Sequence, residues 1–152
     1  MTSPQTVDFD VFSKSFPGAV AALRTLSQVS AQDLDKALVE LVKVRASQMN
    51  GCAYCLQLHL NRARKSGLPQ TKLDRVAVWR EAPGFTARER AALAWTEALT
   101  DSGHRGDAGS ARQGLDSEFT LEEVLRLTLA IATINAWNRI AGPLGFTPPQ
   151  AE

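Results

Sequence analysis

The 152 residues are 44% hydrophobic and carry 17 Lys+Arg against 16 Asp+Glu, a formal net charge of +1, which suits one globular domain with its own core. That balance excludes the strongly basic domain or stripe that nucleic-acid binding requires, and the short cluster Arg62, Arg64, Lys65 reads as the solvated face of a helix. Met1–Asp10 has neither a basic n-region nor an apolar h-region, and the longest uncharged apolar stretch, Leu127–Asn138, is shorter than the ~20 residues that span a bilayer, so a cytoplasmic protein without membrane partners is expected.

Strand-like alternation is absent along the chain, whereas 3.6-residue periodicity recurs. A first short helix is expected after Pro17, carrying Val20, Leu23 and Leu26. A second should run from near Asp33 to about Met49, and a third from Asn50–Gly51–Cys52 to Gly67, with Pro69 as a stop. A fourth is expected over roughly 70–80. The fifth opens with a capping box, Thr86 to Glu89, and continues to about Thr100. The segment 103–114 reads as a polar loop with one helical turn. A second capping box, Thr120 to Glu123, opens the last helix, which should end at Gly142–Pro143, leaving a mobile tail over 147–152. The expectation is therefore an all-α, single-domain bundle of about six helices over 1–152, with its core at roughly 33–142.

That last helix is unusual. Leu125, Leu127, Leu129, Ile131, Ile134 and Trp137 make it apolar on nearly every side, so it needs cover all round. A subunit interface would supply that cover in so small a domain, and a central core position is the alternative. Trp95 and Trp137 read as core or interface residues rather than substrate platforms.

The chain has two cysteines, Cys52 and Cys55. A bridge between them would close almost no loop, so a structural disulfide framework does not explain them, and redox chemistry or metal binding does. On a helix, Cys52, Cys55 and His59 share one face with Leu56 and Leu60, while Gln57, Asn61 and Lys65 lie opposite. Thiols and an imidazole facing inward call for a chemical role. A first-turn position favours a thiolate through the free backbone N–H groups. His59 can carry a proton, and a second cysteine lets a sulfenic acid condense to a disulfide before over-oxidation. On the preceding helix Glu40 lies on the flank in line with Val44 and Ser47. The turn at Asn50–Gly51 can fold it back to orient or charge His59. Arg45 falls near the middle of the apolar arc, which points to a buried ion pair of structural kind.

Glu40, Ser47, Cys52, Cys55 and His59, spaced E-x6-S-x4-C-x2-C-x3-H, resemble the core of the alkylhydroperoxidase D-like (AhpD-like) proteins of the carboxymuconolactone decarboxylase superfamily. Trp79-Arg80, the stretch Arg88–Thr100 and the run Ile134–Arg139 look like its small single-domain branch. The resemblance implies an all-helical fold, trimers or hexamers, and reduction of organic peroxides through the CxxC disulfide without haem, flavin or metal. It makes Cys55 the peroxidatic thiol and Cys52 the resolving partner exposed to the reductant. His59 and Glu40 become the proton relay, with Ser47 and Tyr54 in support. The reductant would be a protein or small thiol. Tyr54 stands where some members carry histidine. The decarboxylase branch generally lacks the paired cysteines, so CxxC argues against lactone decarboxylation.

Three other readings of the cluster are open. Cys52, Cys55 and His59 with Glu40 or His104 are the right donor types for tetrahedral zinc, although three ligands on one helical segment suit a tetrahedron poorly. A non-enzymatic redox sensor could keep the same disulfide. Two small cysteines and a satisfied histidine could also simply pack in a core. His104 itself is expected to be an exposed loop side chain, its functional alternative being a pocket rim.

Overall fold

A computed structural model describes residues 6–101 and 108–152 of the chain. His104 and the adjoining part of the expected 103–114 loop lie outside the described residues. Among those described there are eight α-helices and one 3-10 turn, two helices more than the periodicity suggests.

The chain enters through α1 (Phe9–Ser15), whose N-terminal N–H is capped by the Asp8 carboxylate, and α2 (Pro17–Ala31), which has proline at its first position. Helix α3 (Lys36–Met49) begins one residue after its Asp35 cap. It is the true centre of the molecule: Leu41, Val42, Val44 and Ala46 are wholly enclosed, and it packs on α4, α6 and α8. Asn50 and Gly51 then reverse the chain, Gly51 taking a left-handed φ of 64° that a Cβ would oppose. Helix α4 (Ala53–Lys65) consequently lies back along α3.

Beyond α4 the expected fourth helix is broken into α5 (Gln70–Leu73) and the 3-10 turn Val76–Val78. Leu73, Val76, Trp79 and Ala82 are all buried in one cluster. Their spacing of three fits a three-residue turn and would drift round an α-helix. Helix α6 (Ala87–Thr100) has the expected capping box in full. Helix α7 (Ala108–Glu118) occupies much of what reads as a polar loop; Leu115 is its one buried residue, so periodicity has almost nothing to register.

Helix α8 (Leu121–Leu144) also has its capping box, runs one residue past Pro143, and ends at left-handed Gly145. The proline falls in the last turn, where it interrupts few hydrogen bonds. Leu127, Ile131 and Ile134 face the core, whereas Leu121, Leu125 and Leu129 are 65%, 56% and 43% exposed. One side of α8 is thus core and the other an uncovered leucine row. The tail, expected to be mobile, is tied down. Thr147 N–H donates to Asp8 Oδ1 (3.1 Å), and Asn61 Nδ2 to the Gln150 carbonyl (2.8 Å). The Glu152 N–H donates to Asn61 Oδ1 (3.2 Å). Arg45 forms the expected partly buried ion pair, with Glu97 at 2.8 Å. No helix among the described residues is long and apolar enough to cross a membrane.

Candidate active site

The hairpin of α3 and α4 sets two helix faces against each other, and Glu40 meets His59 there. The Glu40 Oε2–His59 Nδ1 distance is 2.7 Å, with side chains 13% and 6% exposed. A carboxylate can only accept, so Nδ1 carries the hydrogen and Nε2 is the basic nitrogen. Burial pushes the His59 pKa down, and the Glu40 bond and charge recover only part of that fall. The imidazole is therefore neutral at pH 7. For Glu40, burial works to raise the pKa, but the His59 hydrogen bond and the His59, Lys43 and Arg62 charges outweigh it and hold the carboxyl below its ordinary range.

Cys52 caps α4, its sulfur accepting the Cys55 N–H at 3.3 Å, and both cysteines are free thiols. The Cys55 thiol donates to the Cys52 sulfur and pulls the Cys52 pKa down to about 7. Burial opposes this, and the backbone N–H of Cys55 and the Asn138 side chain assist it. Cys55 is pushed up by the same contact and by burial. The two thiols titrate as a pair, and this contact favours the shared proton on Cys55 and the thiolate on Cys52. Cys55 lies one turn from His59, which favours its deprotonation, whereas the contact between the two sulfurs favours the thiolate on Cys52.

The cavity restores the distinction. A 380 Å³ cleft is lined by Cys55, His59, Tyr54, Trp137 and Lys43, but not by Cys52, and it falls within the usual range for small-molecule sites. Both cysteines are buried, Cys52 at 1% and Cys55 at 2% exposed, so the cleft lining alone separates them; Cys52 is packed among Ala46, Ile134, Ala141 and Phe146. In the single chain it is not open to a reductant as the resemblance implies. Tyr54 is held between Phe9, stacked at 6.2 Å, and Phe146, edge-on at 5.4 Å. Ser47 stands behind the site: its hydroxyl donates to the Lys43 carbonyl (2.7 Å) and accepts from Asn138 Nδ2 (3.1 Å).

All six residues singled out in the sequence, Glu40, Ser47, Cys52, Tyr54, Cys55 and His59, therefore fall in one region. The arrangement adds Asn138, whose oxygen accepts from Asn50 Nδ2 at 2.9 Å while its amide reaches Ser47. An asparagine on the buried stripe of an apolar helix, one turn beyond Ile134, was the signal for it. The cleft also adds Arg24, Lys43 and Arg62. Among the described residues no three His, Cys, Asp or Glu side chains are grouped so as to hold a metal ion. Glu40 is bonded to His59 rather than turned toward the sulfurs, so the zinc reading gains no ligand set here.

The sequence pattern of the carboxymuconolactone decarboxylase family matches residues 16–98. The uncharacterized protein YdfG of Bacillus subtilis (strain 168) is 34% identical over 106 residues, 70% of this chain and 72% of the relative. A protein of unknown function from Agrobacterium tumefaciens, described as a candidate antioxidant defence protein AhpD, superposes with a TM-score of 0.86 at 36% identity, covering 91% of this chain and 96% of that one. An uncharacterized peroxidase-related protein with an alkylhydroperoxidase AhpD core from Ralstonia eutropha JMP134 shares the fold, with a TM-score of 0.78 at 23% identity over 92% of this chain and 75% of that one. With a family pattern covering more than half its length, this chain belongs to the carboxymuconolactone decarboxylase family, as one of its AhpD-like members.

Proposed function

We propose that this protein is a thiol peroxidase that reduces organic or hydrogen peroxide through a Cys52–Cys55 dithiol/disulfide cycle. The observation that carries the reading is the Glu40–His59 contact of 2.7 Å, set beside a cysteine pair whose inner member opens into the same cleft as the imidazole.

Cys55 acts as the nucleophile because it lines the cleft. Its proton passes to the Cys52 thiolate along the S–H···S contact, or to the basic nitrogen of His59. The Cys55 thiolate attacks the distal peroxide oxygen, the O–O bond breaks, and the leaving alkoxide takes that same proton back from Cys52 or His59 to give ROH and Cys55–SOH, leaving Cys52 as thiolate. The Cys52 thiolate then attacks the Cys55 sulfur, forming the disulfide as hydroxide leaves and takes a proton from solvent to become water. A protein or small dithiol restores both thiols and is itself oxidised to its disulfide. Glu40 stabilises the imidazolium that forms while His59 holds the proton. The protein works as a homo-oligomer, a trimer or hexamer as in its relatives by resemblance, with the exposed leucine row of α8 as the contact.

The direct test is a titration of the reduced protein with peroxide, followed by mass. One equivalent should remove both thiols with a loss of two hydrogens. Two titratable thiols surviving excess peroxide would eliminate the proposal.

A further inference from the structure

The cleft over Cys55 is chemically divided. Tyr54, Leu58, Ile134 and Trp137 give its lining an apolar and aromatic part. Three cations from three helices complete it, Arg24 of α2, Lys43 of α3 and Arg62 of α4. Lys43 is 5% exposed, and its ammonium has one hydrogen bond, to Ser27 Oγ at 3.3 Å. Arg24 rests over the Phe9 ring at 5.6 Å. Among the described residues none of the three forms an ion pair. The carboxylate whose field reaches Lys43 and Arg62 is Glu40, and it is bonded to His59.

An ammonium held out of water without a counter-ion is costly, and the cost falls when an anion arrives beside it. Three such groups around one cleft make an electrostatic trap, stronger for the low-dielectric part of the lining. A neutral peroxide would use none of this.

We infer that the cleft recognises an organic hydroperoxide bearing a carboxylate-type anionic group, with Lys43, Arg62 and Arg24 receiving the anion. The apolar wall of Tyr54, Leu58 and Trp137 takes the carbon skeleton, which leaves the peroxide end at Cys55. This substrate class rests on the peroxidase reading, whereas the anion site at Cys55 can be tested apart from it.

The independent test uses the Cys52→Ser protein, in which Cys55 is the single thiol, alkylated in parallel by anionic iodoacetate and neutral iodoacetamide. Relative to a free cysteine in the same buffer, the iodoacetate/iodoacetamide rate ratio should be raised about tenfold. The rise should shrink with added salt and in the Arg24→Gln/Arg62→Gln background. A ratio equal to that of free cysteine, or one unmoved by the arginine substitutions, would overturn the anion site. The substrate test compares cumene hydroperoxide, its para-carboxylate and the methyl ester of that acid on the unsubstituted protein. The acid should exceed the ester about tenfold in kcat/KM. Equal values for acid and ester would overturn the substrate class while leaving the peroxidase reading intact. No turnover of any of the three, with the alkylation ratio still raised, would overturn the peroxidase reading and leave the anion site standing.

Discussion

Replacing Glu40 by Gln separates the charge of the relay from its geometry. Glutamine keeps an oxygen that can accept the Nδ1 hydrogen, so the imidazole keeps its orientation; what is lost is the negative charge 2.7 Å from the ring. Taking the charge centres of a carboxylate and an imidazolium at about 4 Å and an effective dielectric constant near 20, the attraction is about 4 kcal/mol. Both side chains are largely withdrawn from water, 13% and 6% exposed, so solvent screening removes only part of it. The amide dipole replaces another part, which leaves an expected loss of roughly 10²–10³-fold in kcat, inside the range for a general acid–base partner. The pH profile supplies a second signature. Glu40 raises the His59 pKa, so its removal should move the ascending limb of kcat/KM to lower pH even as the plateau falls. Peroxide consumption with excess dithiol, measured from pH 5 to 9 beside a urea midpoint to verify folding, gives both. A kcat within about threefold of the parent, or a limb displaced to higher pH, would show that Glu40 does not act through His59.

Four further outcomes follow from the same geometry. Alkylation against pH should reveal one thiolate with a midpoint of about 7, assigned to Cys52; Asn138→Leu should move it upward, and absence of any thiolate below pH 8 would contradict the shared-proton arrangement. In turnover, Cys55→Ser should be inactive, while Cys52→Ser should accumulate a dimedone-reactive sulfenic acid; labelling in the opposite variant would exchange the two roles. Leu125→Glu, placed in the exposed row of α8, should reduce the sedimenting species to 16.5 kDa without lowering the urea midpoint; a parent protein already monomeric at micromolar concentration would show that the row is not an interface. Acid should also destabilise the fold in two stages. His59 titrates below its ordinary 6.5 when folded, so the unfolded chain binds the proton first and stability declines as pH falls under 6.5. The Glu40 contribution is present above 4.5 and is lost as pH falls through its lower folded value. A urea midpoint indifferent to pH between 7 and 5 would contradict the first stage, and one indifferent between 5 and 2.5 the second.

What the sequence made legible were features that repeat within one helix or across one short turn. Cys55 and His59 are four residues apart, so one helix suffices to align them, and Asn50–Gly51 dictates the reversal that delivers Glu40. The two capping boxes mark their helices because the partners are three residues apart. Features joining distant segments were hidden. Lys43 carries no local signal; the Ser27 hydroxyl that accepts from its ammonium belongs to α2, sixteen residues earlier. Arg24 and Arg62 come from helices far apart in sequence, and nothing local predicts that they meet at one cleft. The lowered pKa of Cys52 is hidden for a related reason: Asn138, one of the groups that lower it, comes from α8, and the contact with Cys55 is visible only once α4 is built.

The ends of the chain have a consequence of their own. Phe9 and Phe12 from α1 and Phe146 from beyond α8 cover the sulfur pair, and the Val7–Leu144 and Asp8–Thr147 hydrogen bonds join the two segments. Helix α1 buries none of its residues and is seven residues long, too short to persist alone. Lifting it away breaks a few ring contacts and hydrogen bonds and leaves α3, the structural centre, untouched. The free energy that holds Phe9 against Tyr54 at the cleft is therefore a local quantity, smaller than the stability of the fold and adjustable without altering it. Hydrogen exchange would register it as α1 amides that exchange long before those of Val42 and Val44, and its size would set how often the Tyr54 side of the cleft opens to a bulky molecule.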